Sequence, residues 1–243
     1  MQDRYAGDIG DFGKFGLLCA LRASGLSIGV NWYRTIPPES ELARDDGKYR
    51  IPQDKFACDA ALAKTLFDIS RPDNPNRSVK ALEDADLIDD ALYFSEPVRV
   101  TDRSEWHREA MEALKCCDLI FLDPDNGLLV DSVSKHSKKS VKYALYEEVD
   151  KYVSDRKSVV IYNHRCRKKW DAYKQDITER LRSKLLHIAD KPIRAITFPR
   201  FSVRDYFIIS ATDAHDQKIR SALDTMDNSE WNRLKMCTKS VML

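Results

Sequence analysis

The fold class is indicated most clearly by the segment Asp118-Leu119-Ile120-Phe121-Leu122-Asp123-Pro124-Asp125-Asn126-Gly127. Its first half is a continuous apolar run of strand length. A strand with one face in water would alternate between apolar and polar residues, so this run indicates burial on both faces, as in a parallel sheet covered by helices. Its second half contains Asn126-Gly127, a turn signal. The chain is therefore expected to leave a buried sheet directly after Leu122.

Five other segments have the composition of strands, and most are separated by helical patterns. The predicted strands are 28–34, 91–94, 118–122, 158–162, 193–198 and 206–210. Helices are expected at 11–24, after a Ser104 cap, after a Ser140 cap, and from Trp170 to Ile188. Only about seven residues separate the last two strands, too few for a parallel crossover, so they should form an antiparallel hairpin. We predict an α/β fold: a Rossmann-like, mostly parallel sheet with a C-terminal antiparallel hairpin strand, the pattern of methyltransferase-like folds.

The length of 243 residues and the 43% hydrophobic content fit a single α/β domain over 1–243. Residues 37–90 contain loop-like Pro, Gly and Asn clusters around two short helices capped by Asp59 and Ser78. We interpret 37–90 as a helical insertion or elaboration of the main domain.

Charge and composition exclude several classes of protein. The net charge is +1, so the chain as a whole is not a polycation, and any contact with nucleic acid needs a local basic patch. It has no run of 18 apolar residues, and its N-terminal residues lack the apolar region of a signal peptide. We expect a cytoplasmic protein that contacts no membrane. The six cysteines form no C-x-x-C pair, and we expect reduced, mostly buried thiols.

The residues that follow the predicted strands are the first candidates for a site, because ligands of open α/β sheets bind at the carboxyl ends of the strands. Asp123, Pro124, Asp125 and Asn126 follow one strand, and the carboxylates could accept hydrogen bonds from a substrate amine or bind a divalent metal. His164 could act as a proton acceptor. Candidate phosphate-binding residues at the same rim are Lys138, Lys139, Arg165, Arg167, Arg200 and Arg204. A tight turn at 123–127 and solvated basic loops are the plain structural alternatives.

A second candidate segment lies near the N-terminus. Residues 5–16 hold half of the eight glycines, and glycine allows backbone to approach a ligand closely. Asp8 or Asp11 could cap the helix that follows. The segment is not a phosphate-binding P-loop, because no strand precedes it. A glycine-rich entry to a packed helix is the alternative reading.

The two segments resemble a known arrangement. Tyr5-Ala6-Gly7-Asp8-Ile9-Gly10-Asp11-Phe12-Gly13-Lys14 is similar to the H-A-G-N-x-A-D-x-x-K-H element of bacterial ribosomal RNA adenine-N6 methyltransferases. Leu122-Asp123-Pro124-Asp125-Asn126 is similar to their D-P-P-Y element. The segment 118–127 also looks like an uncharacterised bacterial family bearing L-D-P-D-N-G.

The resemblance implies a class I methyltransferase that uses S-adenosylmethionine. Asp123 and the Pro124 carbonyl would hold the target amine of a flipped base. The cofactor would lie near Tyr5, Gly7, Asp8, Asp11, Lys14 and Asn31. The sequence departs from the family where Asp125 replaces a proline, where Asn126 replaces the stacking aromatic residue, and after the first strand, where no G-x-G turn follows.

Three functions therefore stand at this point. The first is methyl transfer from S-adenosylmethionine to an amine of nucleic acid or a nucleotide. The second is a nuclease or phosphohydrolase in which Asp123 and Asp125 bind Mg²⁺ or Mn²⁺. The third is a non-catalytic protein that binds nucleic acid or another partner.

Overall fold

A computed structural model describes residues 1–38, 58–165, 169–200 and 203–243 as a central sheet between two layers of helices. The strands are β1 (Ile28–Asn31), β2 (Leu92–Phe94), β3 (Leu119–Leu122), β4 (Gly127–Leu128), β5 (Tyr143–Ala144), β6 (Ser158–His164), β7 (Ile193–Phe198), β8 (Arg204–Ile209) and β9 (Val241–Met242). The helices are α1 (Ile9–Ala23), α2 (Ala60–Ser70), α3 (Val79–Asp84), α4 (Arg103–Ala113), α5 (Tyr146–Ser154), α6 (Trp170–Lys184), α7 (Asp213–Asp227) and α8 (Glu230–Arg233).

The central sheet has seven strands in the order β2-β1-β3-β6-β8-β7-β9. β2, β1, β3 and β6 are parallel neighbours, whereas β8 is antiparallel to both β6 and β7. The reversed strand therefore lies between two strands that run the same way. The predicted Rossmann-like, mostly parallel α/β sheet with an antiparallel hairpin strand is confirmed. The edge strand β9 and the small β4–β5 sheet were not expected from the sequence.

Strand β3 shows why its sequence is apolar without alternation. Leu119 and Phe121 belong to the core on the side of α1 and α7, while Ile120 and Leu122 belong to the core on the side of α4, α5 and α6. All four side chains are fully buried. Successive side chains of a strand point to opposite faces, so two buried faces require an apolar residue at every position.

Three helices begin at residues other than those expected. α1 begins earlier, because Asp8 is the cap and accepts hydrogen bonds from two backbone N–H groups of the first turn. α4 already includes Ser104, which is therefore not its cap. Ser140 lies in a 3₁₀ turn, Lys138–Lys142, and the chain then forms β5 before α5 begins. There the Glu148 carboxylate caps the backbone N–H of Leu145 at 2.9 Å.

Strand ends also differ from the sequence-based bounds. β1 ends at Asn31 instead of residue 34, and Tyr33, two residues on, has a left-handed φ of 45° that interrupts the extended chain. β6 continues to His164, so this residue is the last of its strand.

The described part of residues 37–90 packs against α1. Leu62, Leu66 and Leu82 of α2 and α3 share one core with Phe12 and Phe15 of α1. Asp59 and Ser78 cap α2 and α3, as predicted. Residues 39–57 lie outside the described residues.

The described cysteines are free thiols: Cys19, Cys58, Cys116, Cys117 and Cys237. Cys116 is exposed, whereas Cys117 and Cys237 are buried. Cys166 lies outside the described residues. Across the described ranges, every helix is too short or too polar to cross a membrane.

Candidate functional site

A cleft of about 440 Å³ opens at the carboxyl ends of β3 and β6 and the start of β8, against the first turns of α1. The predicted site residues that line it are Tyr5, Asp8, Asp11, Lys14, Asp123, Pro124, Asp125, Asn126, His164 and Arg204. Four separate segments therefore converge there, around residues 5–14, 123–126, 164 and 204. His164 and Arg204 are direct partners in the β6–β8 pairing, which explains why they reach the same rim.

The floor of the cleft holds a buried group of three charged side chains. The Lys14 ammonium lies 2.7 Å from Asp11 Oδ1 and 2.6 Å from Asp123 Oδ2. The second Asp11 oxygen accepts the Gly7 backbone N–H at 2.7 Å. Both Asp11 oxygens are thus used inside the protein, so Asp11 positions Lys14, and Lys14 positions Asp123.

Burial and the neighbouring charges shift the pKa of each of these three side chains in opposite directions. Burial would lower the pKa of Lys14, but Asp11 and Asp123 outweigh it and raise the pKa, so Lys14 stays protonated. Burial raises the pKa of both Asp11 and Asp123, although Lys14 opposes the rise. Two carboxylates share one ammonium ion, so the group carries an excess of negative charge when fully ionised.

Asp125 is held by a different set of partners. Its carboxylate lies 3.0 Å from the Met1 α-amino nitrogen and accepts hydrogen bonds from Gln2 Nε2 at 2.7 Å and Thr35 Oγ1 at 2.9 Å. Burial would raise the pKa of Asp125, but the Met1 ammonium and these donors outweigh it and lower the pKa. Asp125 is therefore an ionised carboxylate whose charge is already matched.

The Met1 ammonium is held by acceptors that follow β1 and β3. It also donates to three backbone carbonyl oxygens, those of Trp32 at 3.1 Å, Tyr33 at 3.0 Å and Asp123 at 3.0 Å. Three carbonyls and one carboxylate surround one amine. The turn after β3 and the residues after β1 together form an acceptor site for N–H groups.

The part of the cleft formed by β6 and β8 carries His164, Arg204 and two tyrosines. Arg204 lies 3.6 Å from Asp8 Oδ2, and His164 Nδ1 lies 3.4 Å from the Tyr162 hydroxyl. Surrounding protein and then the Arg204 charge lower the pKa of His164, so its imidazole is neutral near pH 7 and can accept a proton.

The charge of the cleft is mixed. Its ionisable lining consists of the carboxylates Asp8, Asp11, Asp123 and Asp125, and the cations Arg4, Lys14, Lys142, Arg204 and the Met1 α-amino group. Four negative groups against five positive ones give a nearly balanced lining.

Two of the predicted cofactor-binding residues are structural instead. Asn31 is fully buried; its amide donates to the Tyr152 hydroxyl at 3.3 Å and its oxygen accepts the Tyr33 N–H at 3.2 Å. Gly7 has a φ of 74°, and a Cβ there would lie 2.5 Å from the Leu66 carbonyl oxygen. Gly7 is needed for a left-handed backbone and close packing on α2. Neither residue lines the cleft.

Arg165 also has a structural role. Its guanidinium pairs with both oxygens of the fully buried Asp205 carboxylate and lies 4.1 Å from the centre of the Trp170 ring. A buried carboxylate is costly without a cation beside it, so Arg165 neutralises Asp205. It does not line the cleft and is not available for a phosphate.

The other predicted phosphate-binding residues lie away from the cleft lining. Lys138 and Lys139 are exposed in the 3₁₀ turn, and Arg200 donates to the Leu234 carbonyl at 2.7 Å. Arg167 lies outside the described residues. Arg204 alone of the predicted phosphate-binding set lines the cleft in the part of the chain that the structure describes.

Sequence reasoning missed several lining residues: Met1, Gln2, Arg4, Lys142, Tyr162 and Tyr206. Tyr206 lies two residues from Arg204 in β8, and Tyr162 two residues from His164 in β6. Residues two apart in a strand share a face, so this period could have identified both tyrosines. The backbone N–H of Asn126 donates to the Lys142 carbonyl oxygen at 2.9 Å, and this hydrogen bond brings Lys142 to the cleft. Nothing in the sequence indicates this contact.

Buried polar atoms of the cleft lining without a hydrogen-bond partner among the described residues include Gln2 Oε1, an acceptor, and the Tyr206 hydroxyl. Both residues are almost fully buried. A buried polar atom without a partner is unfavourable in a folded protein, so a bound water or a ligand is expected to supply the bond.

The donors of the cleft do not suit a divalent metal. Asp123 is bonded to Lys14, and Asp125 is bonded to the Met1 ammonium, Gln2 and Thr35. Across the described residues, no three His, Cys, Asp or Glu side chains are arranged to hold a metal ion. A cation would have to displace two ammonium groups, so we derive no step through Mg²⁺ or Mn²⁺.

Comparisons with known proteins show one distant structural likeness. No family model matches the chain, and no curated protein matches it. A solved structure of protein LPL1258 from Legionella pneumophila, which bears the family designation DUF519, is similar with 11% sequence identity and a TM-score of 0.44. The likeness covers 98% of this chain and 96% of that one.

Proposed function

We propose that this protein is a cytoplasmic methyltransferase that uses S-adenosylmethionine and acts on an amine of a nucleic-acid base or a nucleotide. One observation carries the proposal. The Asp123-Pro124 turn opens into the same cleft as Asp11 and Lys14 of the N-terminal segment. A hydrogen bond from Lys14 to Asp123 joins the two segments that resemble the adenine-N6 methyltransferases, although these residues are 109 positions apart in the sequence.

The order of the strands supports the same proposal. β8 runs against its neighbours and lies between β6 and β7. A mostly parallel sheet with an antiparallel hairpin strand is the pattern of methyltransferase-like folds. A fold hosts many functions, so this argument is secondary to the cleft.

The cleft has the chemistry to hold the cofactor. S-adenosylmethionine carries two positive groups, a sulfonium and an ammonium, and needs acceptors. Asp8 and the unpartnered Gln2 Oε1 are such acceptors in the lining, and Tyr5 provides a ring beside them. A volume of about 440 Å³ also falls within the range of small-molecule sites. We infer that Gln2, Tyr5 and Asp8 contact the cofactor, while Asp11 and Lys14 hold Asp123 in place.

The substrate amine would bind at the turn after β3. Asp123 Oδ2 is used by Lys14, but Asp123 Oδ1 accepts no hydrogen bond from the described residues. Oδ1 and the Pro124 carbonyl can each accept one N–H of an exocyclic amine, which directs the nitrogen lone pair away from the turn. When bound, the cofactor supplies the methyl group for this nitrogen.

His164 is suited to take the proton that the amine loses. It is neutral near pH 7, because its surroundings and Arg204 lower its pKa. Arg204, next to it in the β6–β8 pairing, provides positive charge at the mouth for a phosphate of the substrate.

The test combines binding and transfer. Calorimetry with S-adenosylmethionine should show saturable binding to the wild-type protein and to Asp123→Asn, which keeps the shape of the side chain. Transfer of label from methyl-tritiated cofactor to bacterial RNA, DNA and free nucleotides should fall by about 10²–10³-fold in Asp123→Asn, since the variant loses an oriented charged acceptor. Asp131→Asn is the matched control, because Asp131 is exposed and lies outside the cleft lining.

Several outcomes would contradict the proposal. Absence of cofactor binding, or transfer by Asp123→Asn at the wild-type rate, refutes the proposal. Strand scission that depends on Mn²⁺ and is lost in Asp125→Asn would instead support the nuclease or phosphohydrolase alternative. Binding of RNA without either activity would favour a non-catalytic binding protein.

A further inference from the structure

A second cavity, of about 240 Å³, lies between the beginning of α4 and the first half of α5. Arg103 and His107 of α4 and Glu148 and Lys151 of α5 form much of its wall. It shares no lining residue with the cleft described above.

Arg103 presents a fixed and unused donor in this cavity. Its Nε and Nη2 atoms donate to the Glu148 carboxylate, and Nη2 also donates to the Tyr143 carbonyl at 2.8 Å. The guanidinium lies 4.9 Å from the centre of the Trp106 ring. Nη1 is buried and has no hydrogen-bond partner in the described ranges. The other contacts hold the plane of the guanidinium, so Nη1 is oriented in advance.

His107 presents a second unused atom one helical turn later. Its side chain is 2% exposed, and its Nε2 atom has no partner among the residues that the structure describes. The ring packs edge-on against Tyr152, with 4.9 Å between the ring centres. Residues four apart in a helix share a face, and both Arg103 and His107 line the cavity. Each carries a buried polar atom that lacks a partner, and a ligand in the cavity could supply one.

The charges around the cavity select the ligand. Arg103, Lys135 and Lys151 contribute three positive charges, and Glu147 and Glu148 contribute two negative charges, which leaves one positive charge in excess. Burial lowers the pKa of His107 to about 4, so near pH 7 it offers a neutral N–H group. A small ligand with one negative charge would balance the site.

We propose that this second cavity binds a small molecule through an anionic oxygen group, a carboxylate or a phosphate, with its oxygens accepting hydrogen bonds from Arg103 Nη1 and His107 Nε2. Lys151, which is exposed at the rim, supplies the balancing charge. The site is independent of the proposed methyl transfer and would exist whatever chemistry the main cleft performs.

The experiment titrates the protein with two probes, inorganic phosphate and acetate, while the histidine ring signals are followed by NMR at constant ionic strength. At least one probe should shift the His107 signal saturably, and the signal is assigned by its loss in His107→Phe. That variant keeps an aromatic ring but removes one hydrogen bond to a charged group, so affinity measured by calorimetry should fall at least about tenfold. Lys151→Gln should weaken binding by roughly two- to fivefold.

Arg108→Ala is the matched control. Arg108 lies on the exposed face of α4, pairs with Glu105 and does not line the cavity, so probe affinity should not change. The proposal is overturned if neither probe shifts His107, or if His107→Phe binds as tightly as the wild type. Lys151→Gln alters a surface residue only, and unchanged affinity in that variant also contradicts the proposal should His107→Phe not fold.

Discussion

Replacing Lys14 by Met tests the charged group beneath the cleft. Lys14 bonds Asp11 at 2.7 Å and Asp123 at 2.6 Å, and the three side chains are between 1% and 6% exposed. Met preserves the length of the side chain but leaves two buried carboxylates without a cation. Removing one partner of a buried ion pair costs about 3–5 kcal/mol. For a chain of this size, that loss lowers the melting temperature by roughly 6–20 °C.

The pH dependence of the Lys14→Met defect separates this cause from a simple packing fault. Burial raises the pKa of Asp11 and Asp123 above the ordinary value of 3.8, and loss of Lys14 raises both further. An acid whose pKa rises on folding binds protons more strongly in the folded state. Its effect on stability therefore becomes less favourable as the pH rises from the ordinary value through the folded value. The defect should be smaller at about pH 5 than at about pH 7.

Urea denaturation at the two pH values measures both effects, with Lys64→Met as the control. Lys64 is 75% exposed and pairs with Asp68 on the surface of α2, so its loss should cost less than about 0.5 kcal/mol. A Lys14→Met defect no larger than that of Lys64→Met, or one that is identical at both pH values, would refute the assignment of a buried charge group.

Three further perturbations follow from the packing. Gly13→Ala places a Cβ 2.6 Å from Phe198 Cδ1, so chemical denaturation should show a loss of about 1–3 kcal/mol, and unchanged stability would contradict the close approach of α1 to β7. Asp8→Ala removes the cap of α1 and should cost about 0.5–2 kcal/mol in thermal unfolding, whereas Asp8→Asn, which can still cap, should cost less. Cys116 is exposed, while burial raises the pKa of the Cys117 thiol to about 11. Cys116→Ser should therefore remove one fast-reacting thiol in a titration with a disulfide reagent. A fast phase of unchanged amplitude would contradict the exposure of the Cys116 side chain.

The sequence was informative about strands because their signals are local. The apolar run at β3 predicted burial on both faces, and the short connection between β7 and β8 predicted an antiparallel pair; both are confirmed. Helix starts were less predictable. Ser140 has the chemistry of a cap, but residues 143–144 pair with β4 first, and a pairing partner elsewhere in the chain overrides a local preference.

The candidate site was predictable in outline and not in its pairings. The carboxyl-end rule correctly brought Asp123, His164 and Arg204 to one cleft. The same rule placed Arg165 and Asn31 there, although Asp205 and Tyr152 hold them elsewhere. Position at a strand end determines which edge a residue reaches, but it does not determine which neighbour its side chain contacts.

The α/β class, the buried strands, the reversed hairpin strand and the main segments of the cleft were predictable from the sequence, because hydrophobic period, caps and connection lengths act over a few residues. Which charges remain available to a ligand depends instead on tertiary contacts. Lys14 and Asp123 are 109 positions apart, and Arg165 and Asp205 are 40 apart. A buried charge is stabilised by the partner nearest to it in space, and that partner is known only when the whole chain is folded.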